Sequence, residues 1–91
     1  MNIQEYCDIL NIEINLKYYP NQNGRWCANF DHCEFKDTAS SRILASTYGN
    51  GFTPQAAIED FLEQIRGKLM VINATDENKS REYIVPDSLS A

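Results

Sequence analysis

Apolar and polar residues alternate strictly along residues 10–18, and this pattern restricts the fold more than any other feature of the chain. The apolar set is Leu10, Ile12, Ile14, Leu16 and Tyr18. Because successive side chains of a strand point to opposite faces, the alternation predicts a half-buried strand. Pro20 cannot donate a hydrogen bond to a sheet and is expected to end it. Asn23-Gly24 then favours the tight turn of an antiparallel hairpin.

A capped amphipathic segment predicts the main helix. Thr53 suits the N-cap, Pro54 suits the first helical position, and Gly67 is expected to end the helix. Apolar residues recur between them at helical spacing, at Ala57, Ile58, Phe61, Leu62 and Ile65. This stripe is expected to form core, and Phe52, just before the cap, is expected to pack on Ala57.

Further strands are predicted on both sides of the main helix. They cover residues 25–30, 41–48 and 68–74, with a short edge strand at residues 81–86. The DHCEFKD segment between the first two either continues a strand past a bulge or begins another turn. Residues 37–41 are expected to form a loop, and Gly49-Asn50-Gly51 is expected to turn the chain. Residues 3–9 carry only a weak helical signal, because short isolated helices are marginal.

The element order is therefore (α)-β-β-β-α-β, with strands that follow one another along the chain. Such an order favours an antiparallel sheet with the helix on one face. We predict a single α+β domain over residues 1–91, with a three- to four-stranded antiparallel sheet and one main helix packed on one face.

The charge balance excludes some classes of partner. Thirteen acids against eight bases give the 91-residue chain a net charge of −5. Nucleic acids and anionic membranes repel such a chain, whereas a cationic protein surface attracts it. No apolar run approaches the ~20 residues of a membrane span. The first ten residues have neither a basic start nor a long apolar core, so we expect a cytoplasmic protein.

The cysteines and the one histidine do not have the spacing of a metal or catalytic site. Three cysteines, an odd number, do not suit a disulfide framework. Cys27, His32 and Cys33 are close in sequence, but adjacent strand residues point to opposite faces and cannot readily meet at one zinc ion. The same geometry disfavours a Cys–His nucleophile. We therefore expect no cofactor, no metal and no enzymatic activity.

Residues 48–74, YGNGFTPQAAIEDFLEQIRGKLMVINA, resemble a segment of small phage and prophage proteins that carry YGNG and TPEEAI motifs before a hydrophobic strand. The element order resembles the double-stranded-RNA-binding-domain-like fold. TPQAA at residues 53–57 is similar to the helix start of HicB-type antitoxin domains. These motifs specify a loop, a helix and a strand, and they carry no chemistry of their own.

Each resemblance implies a different role. The RNA-binding family places lysines at the helix start, where this chain has Gln55, Ala56 and Ile58, so duplex RNA binding is not expected. The phage-type resemblance implies an inhibitor of a host protein, for example an anti-CRISPR or other anti-defence protein. A HicB-like antitoxin that neutralises a ribonuclease toxin is one alternative. A sponge for small nucleotides, using the GNG turn, is another, with Arg25, Arg42 and Lys68 as its only basic candidates.

Acidic residues are the candidate partner-binding residues. Glu59, Asp60 and Glu63 lie on the predicted solvent side of the helix, and Asp31, Glu34 and Asp37 are candidates to extend that surface. The alternative is a solvated face without a partner. The expected partner is a basic host protein, such as a defence nuclease, in the cytoplasm of the host cell. No direct contact with nucleic acid or membrane is expected. The oligomeric state stays open, with a homodimer among the options.

Overall fold

The computed structural model describes residues 1–37 and 41–91. Within them the chain forms two helices and six strands. In chain order these are α1 (Ile3–Leu10), β1 (Ile14–Tyr19), β2 (Arg25–Phe30), β3 (Cys33–Lys36), β4 (Gly49–Gly51), α2 (Pro54–Ile65), β5 (Leu69–Ile72) and β6 (Arg81–Ile84). The strands form two antiparallel sheets, with the orders β1-β2-β4 and β3-β5-β6. The predicted α+β class, with one main helix packed against a sheet, is confirmed, and the strands are divided between two sheets.

Helix α1 confirms the weakly signalled helix of residues 3–9 and extends one residue further, to Leu10, where the opening strand was predicted to begin. Asn2 and Glu5 form a reciprocal capping box, in which the Asn2 side chain accepts from the Glu5 amide at 2.8 Å. Asn11 ends the helix in a left-handed conformation, with φ of 54°. The helix buries Ile3, Tyr6, Cys7 and Leu10. The prediction of a strand from Leu10 was therefore wrong at its start, because Leu10 fits the helical spacing of these residues as well as the alternation.

The predicted hairpin is confirmed. Strand β1 pairs with β2 from Ile14 opposite Phe30 to Tyr19 opposite Arg25. A single 3-10 turn at Pro20–Gln22 leads into Asn23 and Gly24, which both have positive φ as the sequence predicted. A second tight turn follows β2, where His32 has φ of 57°.

Helix α2 confirms the predicted cap and core stripe. The Thr53 hydroxyl accepts from the Ala56 amide at 3.0 Å. Phe61 is fully buried, and its ring meets Phe30 edge-on at 4.9 Å and Phe35 at 6.0 Å. Since Phe30 belongs to one sheet and Phe35 to the other, a single core joins both sheets beneath α2. The predicted packing of Phe52 on this helix is wrong, because Phe52 is 72% exposed.

Residues 41–51 differ most from the prediction. Residues 41–48 form no strand; a single bridge joins Ala45 to Phe35. The predicted GNG turn is instead strand β4, which pairs with β2. A side chain at Gly49 would place its Cβ 2.2 Å from the carbonyl oxygen of Ala57, so the two glycines of β4 let α2 approach the sheet closely. Residues 38–40 of the predicted loop lie outside the described residues.

The last two predicted strands are confirmed as β5 and β6, which pair with each other. Strand β5 is buried at all four positions and is the central strand of its sheet. Neither helix of the described residues has the length and apolar character that crossing a membrane requires.

Candidate docking surface

The two helices cover the same side of the β1-β2-β4 sheet. Phe30 on β2 lies between them, because its ring centroid is 6.3 Å from Tyr6 of α1 and 4.9 Å from Phe61 of α2. Burial of one stripe of each helix leaves the opposite stripes in solvent. The exposed stripes of α1 and α2 therefore form one surface, called here the helical face.

The helical face holds the charge of the protein. Helix α1 contains two acids and α2 contains three, and neither contains a lysine or arginine. These five negative charges equal the net charge of −5, because the eight acids and eight bases elsewhere in the chain cancel. The remainder of the chain sums to zero formal charge, so the unbalanced negative charge lies on α1 and α2.

Glu59 and Glu63 are the acids of α2 whose carboxylates are exposed to solvent. Both are exposed, and among the described residues neither carboxylate forms an ion pair. Within residues 1–37 and 41–91, the only side-chain hydrogen bond to either is from the Gln55 amide to Glu59, at 3.3 Å. With Asp60, Arg66 and neighbouring residues they line an open groove of about 520 Å³. Arg66 is held away by a 2.8 Å bond from its Nε to the carbonyl of Leu89.

Asp60 has a structural role that the sequence did not indicate. Its Oδ2 accepts from the backbone amide of Asn50 at 2.8 Å and from the Gln64 side chain at 3.0 Å. Gln64 also donates to the carbonyl of Tyr48 at 2.9 Å. Two side chains of α2 therefore bind the Asn50 amide of β4 and the Tyr48 carbonyl just before it, and the Asp60 carboxylate links the strand to the helix.

The other three predicted acids do not join this groove. Asp31 and Glu34 line a separate groove with Tyr48 and Asn73. The Asp31 carboxylate lies 3.4 Å from the exposed His32 ring. Asp37 lies 3.2 Å from the Lys68 ammonium and forms an ion pair with it. The structure thus separates Asp31, Glu34 and Asp37 from Glu59 and Glu63, and only the latter pair belongs to the helical face.

Sequence reasoning missed a groove between α1, α2 and the start of β1. Its volume is about 550 Å³, and its apolar lining residues include Ile3, Ile12, Ile14 and Ile58. Asp8 and Glu13 are its acidic residues, and no lysine or arginine lines it. The local signal for this groove was the Asn2–Glu5 capping box, which marks α1 as a helix and places Asp8 on its exposed side.

Buried cysteines occupy the core beneath α1. Burial raises the pKa of the Cys7 thiol to about 11 and that of the Cys33 thiol to about 12, so both stay protonated at neutral pH. Burial likewise raises the pKa of Tyr6 to about 12. Such thiols are poor nucleophiles and poor metal ligands. Within residues 1–37 and 41–91, no three histidine, cysteine or acidic residues are placed to bind a metal.

The GNG segment presents few free donors. As strand β4 it pairs with β2, and the amide of Asn50 between the glycines is bound by Asp60. The Thr53 hydroxyl already accepts from an amide in the first turn of α2. An anion would have to compete with these bonds, so the geometry does not favour phosphate binding there.

No protein-family model, curated protein or solved structure matches this chain.

Proposed function

We propose that this protein is a non-enzymatic inhibitor of phage or prophage type, which acts in the cytoplasm of the host by binding a basic host protein through the helical face. A defence nuclease is the kind of target that fits, because its nucleic-acid channel is basic and a patch of carboxylates can stand in for phosphates. The observation that carries the proposal is the confinement of the entire net charge to α1 and α2.

Two further features of the helical face support this role. Glu59 and Glu63 have no cationic partner among the described residues, so binding would not first have to break an ion pair. The other groove, between α1, α2 and the start of β1, combines apolar lining residues with the acids Asp8 and Glu13. An apolar centre with a charged rim is the usual composition of a protein interface. Asp60 is not counted among the partner-binding residues, because its carboxylate already accepts a hydrogen bond from the Asn50 amide of β4.

The test is a matched pair of charge reversals. Glu59→Lys with Glu63→Lys changes the helical face, and Glu77→Lys with Glu82→Lys changes exposed residues elsewhere by the same four charge units. Each protein would be immobilised and incubated with nuclease-treated lysate of a bacterial host, and retained proteins identified by mass spectrometry. Affinity for the purified partner would then be measured at low and high salt.

The helical-face variant should bind at least about tenfold more weakly, and the control should change much less. Binding of the unmodified protein should weaken as salt rises, because exposed charges are screened. Equal affinity of both variants would show that the acids are only solvated and would contradict the proposal. If the retained protein is a ribonuclease toxin, the antitoxin role replaces the anti-defence one.

A further inference from the structure

We propose that two copies of this chain associate through the outer edge of β1, which forms an antiparallel pair with the same strand of the second copy. The β1-β2-β4 sheets of the two copies then become one six-stranded sheet, with the helical faces of both copies on the same side. This inference does not rest on the proposed function, although Glu13, which pairs with Lys17 here, also lines the groove between α1 and α2.

Strand β1 has an open line of backbone groups. The carbonyl of Glu13 accepts from the Asp31 amide at 2.8 Å, and the β1–β2 register continues from there. Because alternate residues of a strand direct their backbone groups to the same side, Asn15 and Lys17 also face β2. Ile14, Leu16 and Tyr18 therefore direct their amides and carbonyls outward. No backbone hydrogen bond of the described residues uses these outward groups.

The remaining edges are shorter or protected. Strand β4 has three residues, and Asp60 and Gln64 bind its outward Asn50 amide and the Tyr48 carbonyl just before it. The outer edge of β3 is bridged at Phe35 by Ala45, with two 3.0 Å bonds. Strand β6 has four residues, begins with the charged pair Arg81 and Glu82, and precedes Pro86. Strand β1 has six residues with a single charged side chain, Lys17, and natural proteins seldom leave an edge of that length without a partner or cover.

The side chains of β1 also lack cover. Leu16 is 40% and Tyr18 49% exposed, although both point to the side of the sheet on which the helices pack. The Tyr18 ring rests on Trp26, with centroids 5.1 Å apart. A second β1 strand would shield these apolar side chains, which an isolated chain leaves in water.

The charges of Glu13 and Lys17 favour a second copy of this chain as the strand that pairs with β1, and they define the register. A two-fold axis at Asn15 places Ile14 opposite Leu16 of the second copy, so outward backbone groups meet outward backbone groups. It also places Glu13 opposite Lys17, twice by symmetry. Opposite charges in facing positions stabilise an antiparallel pair, whereas like charges destabilise it. An axis at Leu16 pairs Lys17 with Asn15, and an axis at Lys17 pairs it with itself, so only the Asn15 register matches both charges.

The first experiment measures molar mass by light scattering over a concentration series. The unmodified protein should approach twice 10.4 kDa as concentration rises. Lys17→Glu and Glu13→Lys should each weaken association at least tenfold, because each places like charges opposite one another. The double variant with both changes restores the pairs and should recover association. Lys79→Glu, an exposed control with the same charge change as Lys17→Glu, should associate like the unmodified protein.

The second experiment tests the register covalently. In a Cys27→Ser background, Asn15→Cys should form a disulfide between two copies on mild oxidation, because residue 15 faces its own counterpart in a pair without mutual backbone bonds. Lys17→Cys, whose counterpart is displaced, should crosslink far less. A chain that stays at 10.4 kDa at every concentration would overturn the proposal. So would equal association of Lys17→Glu and Lys79→Glu, or failure of the double variant to recover.

Discussion

The two outer strands of the β1-β2-β4 sheet differ in almost every respect. Strand β4 has three residues, two of them glycines, and lies directly beneath α2. Asp60 binds its outward Asn50 amide, and Gln64 binds the carbonyl of Tyr48 just before the strand. Strand β1 has six residues, carries exposed Leu16 and Tyr18, and has no partner on its outer edge within the described residues. One edge is closed by the chain itself, and the other is open to a second chain.

The acids of helix α2 differ in a similar way. Its Asp60 closes an edge of the sheet, whereas Glu59 and Glu63, one residue before and three after, remain exposed. Stability should therefore depend on the β4 side of the sheet, and association should depend on the β1 side and the helical face. Substitutions on the two sides should separate these properties.

The largest loss of stability is expected for Phe61→Ala. Phe61 is fully buried against Phe30 and Phe35, and removing a buried phenyl ring costs about 3–5 kcal/mol of unfolding free energy. Leu16→Ala on the open edge should change the free energy by less than about 1 kcal/mol in dilute protein. Urea denaturation monitored by circular dichroism measures both. Similar losses for the two variants would contradict the distinction between the edges.

A smaller loss is expected for Gly49→Ala in β4. The added Cβ would lie 2.2 Å from the Ala57 carbonyl oxygen and 2.4 Å from the Phe61 backbone, so α2 must move away from the sheet. Overpacking of this kind costs about 1–3 kcal/mol. Asn50→Ala, at the exposed position between the two glycines, is the matched control and should stay within about 0.5 kcal/mol. An unchanged melting temperature for Gly49→Ala would show that α2 does not need this close approach.

The smallest loss is expected for Asp60→Ala. It frees the Asn50 amide and removes one acceptor of Gln64, and the net contribution of such hydrogen bonds is about 1 kcal/mol. Glu59→Ala and Glu63→Ala should each stay within about 0.5 kcal/mol, since both side chains are exposed. Hydrogen exchange should show faster exchange of the Asn50 amide only in the Asp60 variant. If all three variants lose the same stability and show the same exchange of the Asn50 amide, the Asp60 carboxylate has no structural role.

The local patterns of the sequence predicted most elements correctly. Thr53, Pro54 and the apolar stripe predicted α2, and Asn23-Gly24 predicted the hairpin, because caps and turns depend on neighbouring residues alone. The errors fell where two patterns compete. Leu10 fits both the alternation and the stripe of α1, and residues 41–48 alternate without pairing as a strand.

The sequence by itself determined the α+β class, the amphipathic main helix and the acidic character of the chain, since periodicity and composition are local properties. Only the tertiary structure decided that GNG is a strand, that Asp60 is structural and that Asp31, Glu34 and Asp37 lie away from Glu59 and Glu63. Each of these depends on a contact between residues distant in sequence, such as the Asp60 carboxylate and the Asn50 amide. Tertiary packing also left the β1 edge open, because α2 lies close enough to β4 for Asp60 and Gln64 to bind backbone groups there, whereas β1 lies on the far side of β2.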